Sequence, residues 1–335
     1  MTKRPSVLVT RMIPRVGIEM LEKQGLALTL WDRDRPMTQD ELWARAKDHD
    51  ILLSTLTEKI SKPFLKACPR IKMVSQFAVG YDNIDIPAAT ALGIPVGYAP
   101  GVMTEATADI AFGLMIATAR KMFFLHKTIL AGGWDFFRPT GHLGMELTGK
   151  TLGIMGMGRI GMAMARRCCG AYGMKVIYHS RQPNPEADRA LSASWVSFED
   201  LLAQSDVVSV HTVLNDETRG IFNSKAFGRM KPSALFINTG RGPLHNEEDL
   251  RKALEDGIIG GAGLDVTDPE PMAKDNPLLE MENVCILPHT GSATQEARDG
   301  MSVLAAQNII SYLKTGRPGH LVNPEALQDG PPVLG

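Results

Sequence analysis

Short apolar runs recur along this chain, separated by longer stretches whose apolar residues return with helical spacing. In the first part the runs fall at 7–10, 51–54, 71–75 and 95–98; past the middle they fall at 150–155, 174–178, 207–211, 234–238, 261–266 and 284–287. Short, largely apolar runs suit strands, and their alternation with helical patterns predicts parallel sheets with crossover helices. A helix is expected over 104–121, with Thr104 as N-cap and Glu105 in the first turn, where its charge suits the helix dipole. Its apolar stretch, 106–119, is interrupted by Asp109 and two threonines and is too short to span a bilayer, so a buried helix is expected. A last helix is expected over 296–313, with Met301, Leu304, Ala305, Ile309 and Leu313 on its apolar side. The tail at Asp329, Gly330, Pro331 and Pro332 is expected to fray.

The run at 150–155 leads straight into Gly156, Gly158 and Gly161, spaced G-x-G-x-x-G. In such a turn the first glycine permits the tight bend and the second lets backbone approach a pyrophosphate. The third lets helix pack on strand, with phosphates at the helix N-terminus. Helix formers follow at 162–167, and the run at 174–178 completes a unit of βαβ size. About twenty residues beyond the glycines, a fold using NAD places an Asp or Glu on the ribose hydroxyls. Here the chain reads His179-Ser180-Arg181-Gln182. No carboxylate repels a 2′-phosphate, Ser180 can hydrogen-bond one, and Arg181 can pair with it through its planar fork. NADPH is therefore expected over NADH, with NADH still possible. The competing reading makes Arg181 a solvated loop residue before the turn at 183–185.

Composition narrows the class. At 335 residues the chain suggests about two domains, and 44% hydrophobic with 22% charged residues is ordinary for a globular protein. A net charge of -1 gives no reason to expect nucleic acid or an anionic membrane, so a small-molecule partner is favoured. Cys68, Cys168, Cys169 and Cys285 show no C-x-x-C spacing, and Cys168 and Cys169 fall in a helix expected to be buried. Reduced thiols and no metal site are expected. The first residues lead into a strand without a signal-peptide pattern, and a cytoplasmic protein is expected. The glycine turn sits mid-chain. This predicts a dinucleotide-binding domain, 101–290, inserted into a discontinuous substrate-binding domain, 1–100 and 291–335.

Three polar residues follow three of the late runs: Arg241 after 235–240, Glu270 after 263–266, and His289 after 285–288. Ligands of open α/β sheets bind outside the carboxyl ends of the strands, so these side chains can converge beside a cofactor at the glycine turn. Reducing a 2-oxo acid needs a hydride at the carbonyl carbon, a proton at its oxygen and a cation on its carboxylate. Histidine suits the proton step, and a neighbouring carboxylate favours its protonated form. On this reading His289 is the acid, Glu270 its orienting partner, and Arg241 the fork that grips the carboxylate and polarises the carbonyl. Taken singly, each has a plain alternative: a surface histidine, a turn glutamate, a salt-bridging arginine.

The segments Asn238-Thr239-Gly240-Arg241-Gly242, Gly263-Leu264-Asp265-Val266, Pro269-Glu270-Pro271 and Pro288-His289-Thr290-Gly291-Ser292, together with the glycine turn, resemble the D-isomer-specific 2-hydroxyacid dehydrogenases. The similarity runs over essentially the whole chain. Residues 78–85, 181–183 and 264–271 most resemble the glyoxylate/hydroxypyruvate reductases of that family. The resemblance implies an α/β fold of two doubly wound parallel-sheet domains, a Rossmann cofactor domain inserted in a flavodoxin-like substrate domain. It implies catalytic Arg241, Glu270 and His289. Asp265 would lie near the nicotinamide carboxamide, and Val79 and Gly80 would offer backbone N–H groups to the substrate carboxylate, with Arg241 and His289 also on the substrate. Cofactor contacts would come from Thr104, Gly156, Gly158, Arg159, Ile160, Gly161, Ser180, Arg181, Gln182, Thr239, Gly240, Arg241, His289 and Gly291. His211 is given no catalytic role. A homodimer is implied, with the loop 134–144 at its interface; Gly141-His142 stands where related reductases often carry aromatic bulk, which leaves substrate preference open. The expected reaction is NADPH-linked reduction of glyoxylate to glycolate and of hydroxypyruvate to D-glycerate. Its alternatives are another D-2-hydroxy acid, or a dinucleotide-sensing corepressor-like binding protein.

Overall fold

The computed structural model describes residues 4–327, so the expected fraying at 329–332 lies outside the described residues. These residues fall into two compact units. One takes both ends of the chain, up to Met103 and from Ala293 on; the other is Thr104–Ser292.

The first unit holds strands β1 (Ser6–Val9), β2 (Ala27–Leu30), β3 (Ile51–Ser54), β4 (Met73–Gln76) and β5 (Val96–Gly97). They form one parallel sheet in the order β2-β1-β3-β4-β5, the flavodoxin-like doubly wound order. Alternate side chains feed two cores. Val7, Val9, Ile51, Leu53 and Met73 meet Ile18, Leu21 and Ile309 on one face, while Leu8, Leu52, Val74 and Val96 meet Leu42, Phe64 and Leu65 on the other. The last helix, Gln295–Thr315, packs here and buries Met301, Ala305 and Ile309 as expected. Leu304 and Leu313 are only half-buried, and Ser302 and Asn308 are buried in their stead. Ser302 Oγ donates to the Pro14 carbonyl at 2.8 Å and Asn308 Nδ2 to that of Tyr98 at 2.9 Å, which makes polar residues acceptable there.

The second unit holds β6 (Thr151–Met155), β7 (Lys175–His179), β8 (Ser194–Trp195), β9 (Val207–Val210), β10 (Leu235–Asn238), β11 (Gly261–Leu264) and β12 (Val284–Ile286). Their order is β12-β11-β10-β9-β6-β7-β8, all parallel, with the chain direction of winding reversing between β6 and β9. That is the dinucleotide-fold order extended by one strand, and its crevice opens at the carboxyl ends beside β6. The helix Thr104–Ala119 buries nine of its residues against this sheet. It can approach closely because β11 carries glycines: a Cβ on Gly261 would stand 2.9 Å from Thr118 Cγ2, and one on Gly263 2.9 Å from Thr118 Oγ1.

Several expectations are corrected here. Thr104 is the first residue of its helix rather than the N-cap, and the helix stops at Ala119. Lys121, with φ 53°, turns the chain into a further helix, Met122–Leu130, that periodicity did not suggest and that fully buries none of its residues. β2 and β8 were not anticipated. Both are edge strands, with β8 two residues long and exposed. The four cysteines are free, with Cys168 buried and Cys169 half-exposed. Among the described residues no helix is long and apolar enough to cross a membrane, and no group of His, Cys, Asp or Glu is placed to hold a metal ion.

Candidate active site

Packing dictates two of the three glycines of the turn. Gly156 has φ +97°, and a Cβ there would lie 2.7 Å from the Thr212 nitrogen; a Cβ on Gly161 would lie 2.4 Å from the Gly156 carbonyl oxygen. Gly158 differs, since a Cβ there would meet nothing within 4 Å. It is the N-cap of the helix Arg159–Tyr172, makes no side-chain cap, and is followed by no acidic residue in the first turn. Open space beside Gly158 at the positive end of a helix without a side-chain cap or a first-turn acid fits a diphosphate.

The β7 end adjoins this turn. Asn184 Nδ2 donates to the Met157 carbonyl at 2.9 Å, and Trp195 Nε1 donates to the Ser180 carbonyl at 3.0 Å. Ser180 Oγ donates to the Gln182 carbonyl at 2.6 Å and keeps its lone pairs for another donor. Arg181 and Gln182 are exposed.

A second cluster gathers at the carboxyl ends of β10, β11 and β12. Gly242 allows the loop after β10 to press on the loop after β11, because a Cβ there would overlap the Thr267 carbonyl, 1.9 Å away. Arg241 Nη1 donates to the Gly240 carbonyl at 2.8 Å. Asp265 is 1% exposed. Its Oδ1 accepts from the Thr290 N–H at 2.7 Å and hydroxyl at 3.1 Å, and its Oδ2 from the Gly291 N–H at 2.7 Å. Its carbonyl accepts from the His289 N–H at 2.9 Å. So held, His289 adopts φ 52° and presents Nδ1 to Glu270 Oε1 at 2.5 Å. Nδ1 facing a carboxylate carries a proton, which leaves Nε2 as the ring atom turned away from Glu270.

The electrostatics follow from these contacts. Burial acts to raise the Glu270 carboxyl, but the hydrogen bond and charge of His289 outweigh it, helped by the Thr267 backbone and by Arg241, and hold the group below the usual carboxylate range. Asp265 goes the other way. Its burial outweighs the hydrogen bonds it accepts, and its carboxyl lies above the usual range.

Of the residues singled out in the sequence, Arg241, Glu270, His289, Asp265 and Gly291 thus come together with Thr239 and Gly240. Gly156 and Gly240 approach this edge from either side of one residue: Thr212 presents its nitrogen to Gly156 and its carbonyl oxygen, 3.4 Å from a Cβ, to Gly240. Thr239 Oγ1 is buried and has no hydrogen-bond partner, a hydroxyl that a ligand at this edge could satisfy. Thr104 is half-exposed at the start of its helix, and Thr107 one turn on lies against Gly291. These features fit a nicotinamide dinucleotide: an open cradle at Gly158, an orphaned hydroxyl at Thr239, and an exposed guanidinium at Arg181. His211 lies beneath the glycine turn, with its Nε2 2.8 Å from Ser209 Oγ.

Val79 and Gly80 belong to the first unit, in the loop after β4. Gln76 Nε2 donates to the Gly80 carbonyl at 3.3 Å and to Asn83 Oδ1 at 2.9 Å, while Ser54 Oγ donates to Gln76 Oε1 at 2.6 Å. The loop is therefore anchored by buried side chains. In the second unit, the loop 134–144 exposes Trp134 (74%), Phe137 (84%) and Leu143 (68%). A cavity of about 640 Å³ lined by Arg219, Pro243, His245, Glu247 and Asp268 lies beside the Arg241 turn; it includes neither the glycine turn nor the Glu270–His289 pair. Sequence reasoning overlooked Asn238 and His245, which stand behind Arg241. The available signal was an asparagine ending a fully apolar run.

Residues 112–291 match the family described as D-isomer specific 2-hydroxyacid dehydrogenase, NAD binding domain. The chain is 44% identical over 333 residues to the glyoxylate reductase of Thermococcus litoralis, covering 98% of this chain and 100% of that protein. It is 41% identical over 330 residues to the glyoxylate reductase of Korarchaeum cryptofilum, covering 98% and 99%. Among solved structures, the NADPH-dependent glyoxylate/hydroxypyruvate reductase of Sinorhizobium meliloti, in complex with NADP and malonate, superimposes with a TM-score of 0.83 at 30% identity, covering 99% of this chain and 100% of that one.

Proposed function

The chain belongs to the D-isomer-specific 2-hydroxyacid dehydrogenases and is an NAD(P)-dependent enzyme of that family, and from that premise we propose an NADPH-preferring reductase of small 2-oxo acids, glyoxylate and hydroxypyruvate first. The observation that carries this reading is the Glu270–His289 pair at 2.5 Å, one loop from Arg241 at the edge where the glycine turn opens. The nicotinamide dinucleotide supplies the hydride. The remaining work falls to side chains of this protein. Arg241 grips the substrate carboxylate and polarises the adjoining carbonyl. His289 Nε2–H gives its proton to the carbonyl oxygen as the alkoxide forms, and Glu270 orients the ring through Nδ1 and stabilises its charged form before transfer.

On the cofactor side, Gly156 to Gly161 with Thr239 and Gly240 would hold the diphosphate, and Thr104, Asp265 and Gly291 would hold the nicotinamide end. Ser180, Arg181 and Gln182 hold the 2′-phosphate; the absence of a carboxylate after β7 and the similarity to an NADPH-dependent reductase support the preference for NADPH. The segment 101–290 is then the dinucleotide-binding domain, and 1–100 with 291–335 the substrate-binding domain. The exposed aromatics of 134–144 favour a homodimer, and a cytoplasmic site suits NADPH-linked reduction.

The test is a steady-state panel of glyoxylate, hydroxypyruvate, pyruvate and bulkier 2-oxo acids, each with NADPH and NADH. Glyoxylate and hydroxypyruvate should lead with NADPH. A bulkier acid in first place would shift the reading to another D-2-hydroxy acid, and no turnover at all would favour a dinucleotide-sensing binding protein. Arg181→Ala should raise the KM for NADPH more than that for NADH; equal effects would remove the 2′-phosphate assignment.

A further inference from the structure

Asn238 is fully buried and His245 is 3% exposed, the two lying behind the Arg241 turn. Asn238 ends β10, and His245 follows the short helical turn Gly242–Leu244. Two backbone groups fix which way the Asn238 amide faces. Its Oδ1 accepts the Gly240 N–H at 3.0 Å, and its Nδ2 donates to the Arg241 carbonyl at 2.8 Å. The amide therefore straddles Gly240 and Arg241, and its second Nδ2 hydrogen meets His245 Nδ1 at 3.1 Å.

That contact determines the state of the imidazole. A ring nitrogen facing an N–H donor must be bare, so the proton sits on Nε2. The Nε2–H is buried and has no hydrogen-bond partner. The other tautomer would be worse, setting Nδ1–H against the Asn238 N–H and leaving Nε2 a bare buried acceptor. Burial also pushes the ring down to about 4, so it stays uncharged at neutral pH. An apolar side chain would remove this stranded donor but leave the second Asn238 Nδ2 hydrogen buried without an acceptor. What the histidine adds over such a side chain is an acceptor for Asn238.

We infer that His245 is a positioning residue for Arg241: its bare Nδ1 gives the Asn238 amide a third anchor, and the amide in turn fixes the backbone on either side of the Arg241 Cα, aiming the guanidinium at the substrate carboxylate. The inference rests on the proposed role of Arg241, and its test is arranged so that the two can fail separately.

His245→Val removes the acceptor and the stranded donor together, whereas His245→Asn can place an Oδ1 where Nδ1 stood. With the full chain and saturating NADPH, His245→Val should raise the KM for glyoxylate about fivefold, the loss expected for one buried hydrogen bond. Its kcat should move less, its dissociation constant for NADPH should not change, and its affinity for oxalate, an unreactive carboxylate read by calorimetry, should fall by a similar factor. Its melting temperature should change little, because a stranded His245 donor is exchanged for a stranded Asn238 one. His245→Asn should recover KM and oxalate affinity to within about twofold. Nitrogen-15 spectra of histidine-labelled protein should show His245 with Nε2 protonated and Nδ1 bare. A protonated Nδ1, an unchanged oxalate affinity in His245→Val, or equal losses in both variants would overturn the inference. If the unmodified protein binds NADPH but reduces no 2-oxo acid, the proposed function fails, while the tautomer and the oxalate measurement still decide the role of His245.

Discussion

Replacing Asp265 with Asn keeps the size of the side chain and turns one acceptor oxygen into an NH2 group. In the native site both oxygens are engaged, Oδ1 by the N–H and hydroxyl of Thr290 at 2.7 and 3.1 Å, and Oδ2 by the Gly291 N–H at 2.7 Å. The one oxygen of Asn can serve only one side. If it keeps Thr290, the new NH2 faces the Gly291 N–H, donor against donor, and a stranded buried amide costs about 1–3 kcal/mol. Part of that is offset, because burial holds the native carboxyl above its usual range and a neutral amide carries no such penalty. A net loss of about 1–2 kcal/mol is expected, which for a unit of this size lowers the melting temperature by roughly 2–8 °C.

The same change should reach the chemistry. Thr290 and Gly291 directly follow His289, whose φ of 52° is a left-handed conformation held in part by the Asp265 carbonyl. Slackening the loop on one side lets the imidazole wander from Glu270, and a loss of about tenfold in kcat is expected with little change in NADPH affinity. Thermal melts, NADPH titrations and turnover of glyoxylate under saturating cofactor measure the three effects. The pH dependence of the melts adds a sign. A carboxyl whose folded pKa is raised contributes stability that is present below its unfolded value, 3.8, and lost as pH rises through the folded value. The Asn variant has no such loss, so the gap between the two proteins should narrow as pH rises across that window. An unchanged melting temperature together with an unchanged kcat would refute the account of Asp265 as the anchor of the His289 loop.

Three further outcomes follow from the same contacts. His289→Asn should keep NADPH affinity and lose about 10²–10⁴-fold in turnover; near-normal turnover would remove His289 from the proton step. Gly156→Ala would set a methyl 2.7 Å from the Thr212 nitrogen at φ +97°, so NADPH titrations should show a weakening of at least about tenfold, and equal affinity would count against a dinucleotide at this turn. Glu41 is held at about 2 by its hydrogen bonds to Arg35 and the Thr38 backbone, so the stability it contributes is present above 4.5 and lost as pH falls toward 2. The melting-temperature gap between the native protein and Glu41→Gln should therefore close over that range, and a gap independent of pH would contradict the pairing.

Strands such as β3, β9 and β10 were legible because a parallel strand buried on both faces leaves a largely apolar run. β2 and β8 left no such mark. Each is an edge strand with one neighbour, and the sequence Ser194-Trp195 is too short to show a period. Arg241, Glu270 and His289 were legible for a different reason, since each is a reactive or charged residue placed just after an apolar run, where an open sheet exposes its ligands.

Their supports were not legible, because a support is defined by a partner. Asn238 counts only with Gly240, Arg241 and His245 around its amide, and Asp265 only with Thr290 and Gly291 at its oxygens, 25 and 26 residues along the chain. The glycines make the same point from the opposite direction. Their spacing gave the turn at Gly156, but only the contacts distinguish Gly161, where a side chain would strike backbone, from Gly158, where it would meet open space and displace whatever binds there. Substitutions at these two positions should accordingly fail in different ways: at Gly161 through the packing of helix on strand, with a lowered melting temperature, and at Gly158 through weakened dinucleotide binding in a protein of unchanged stability.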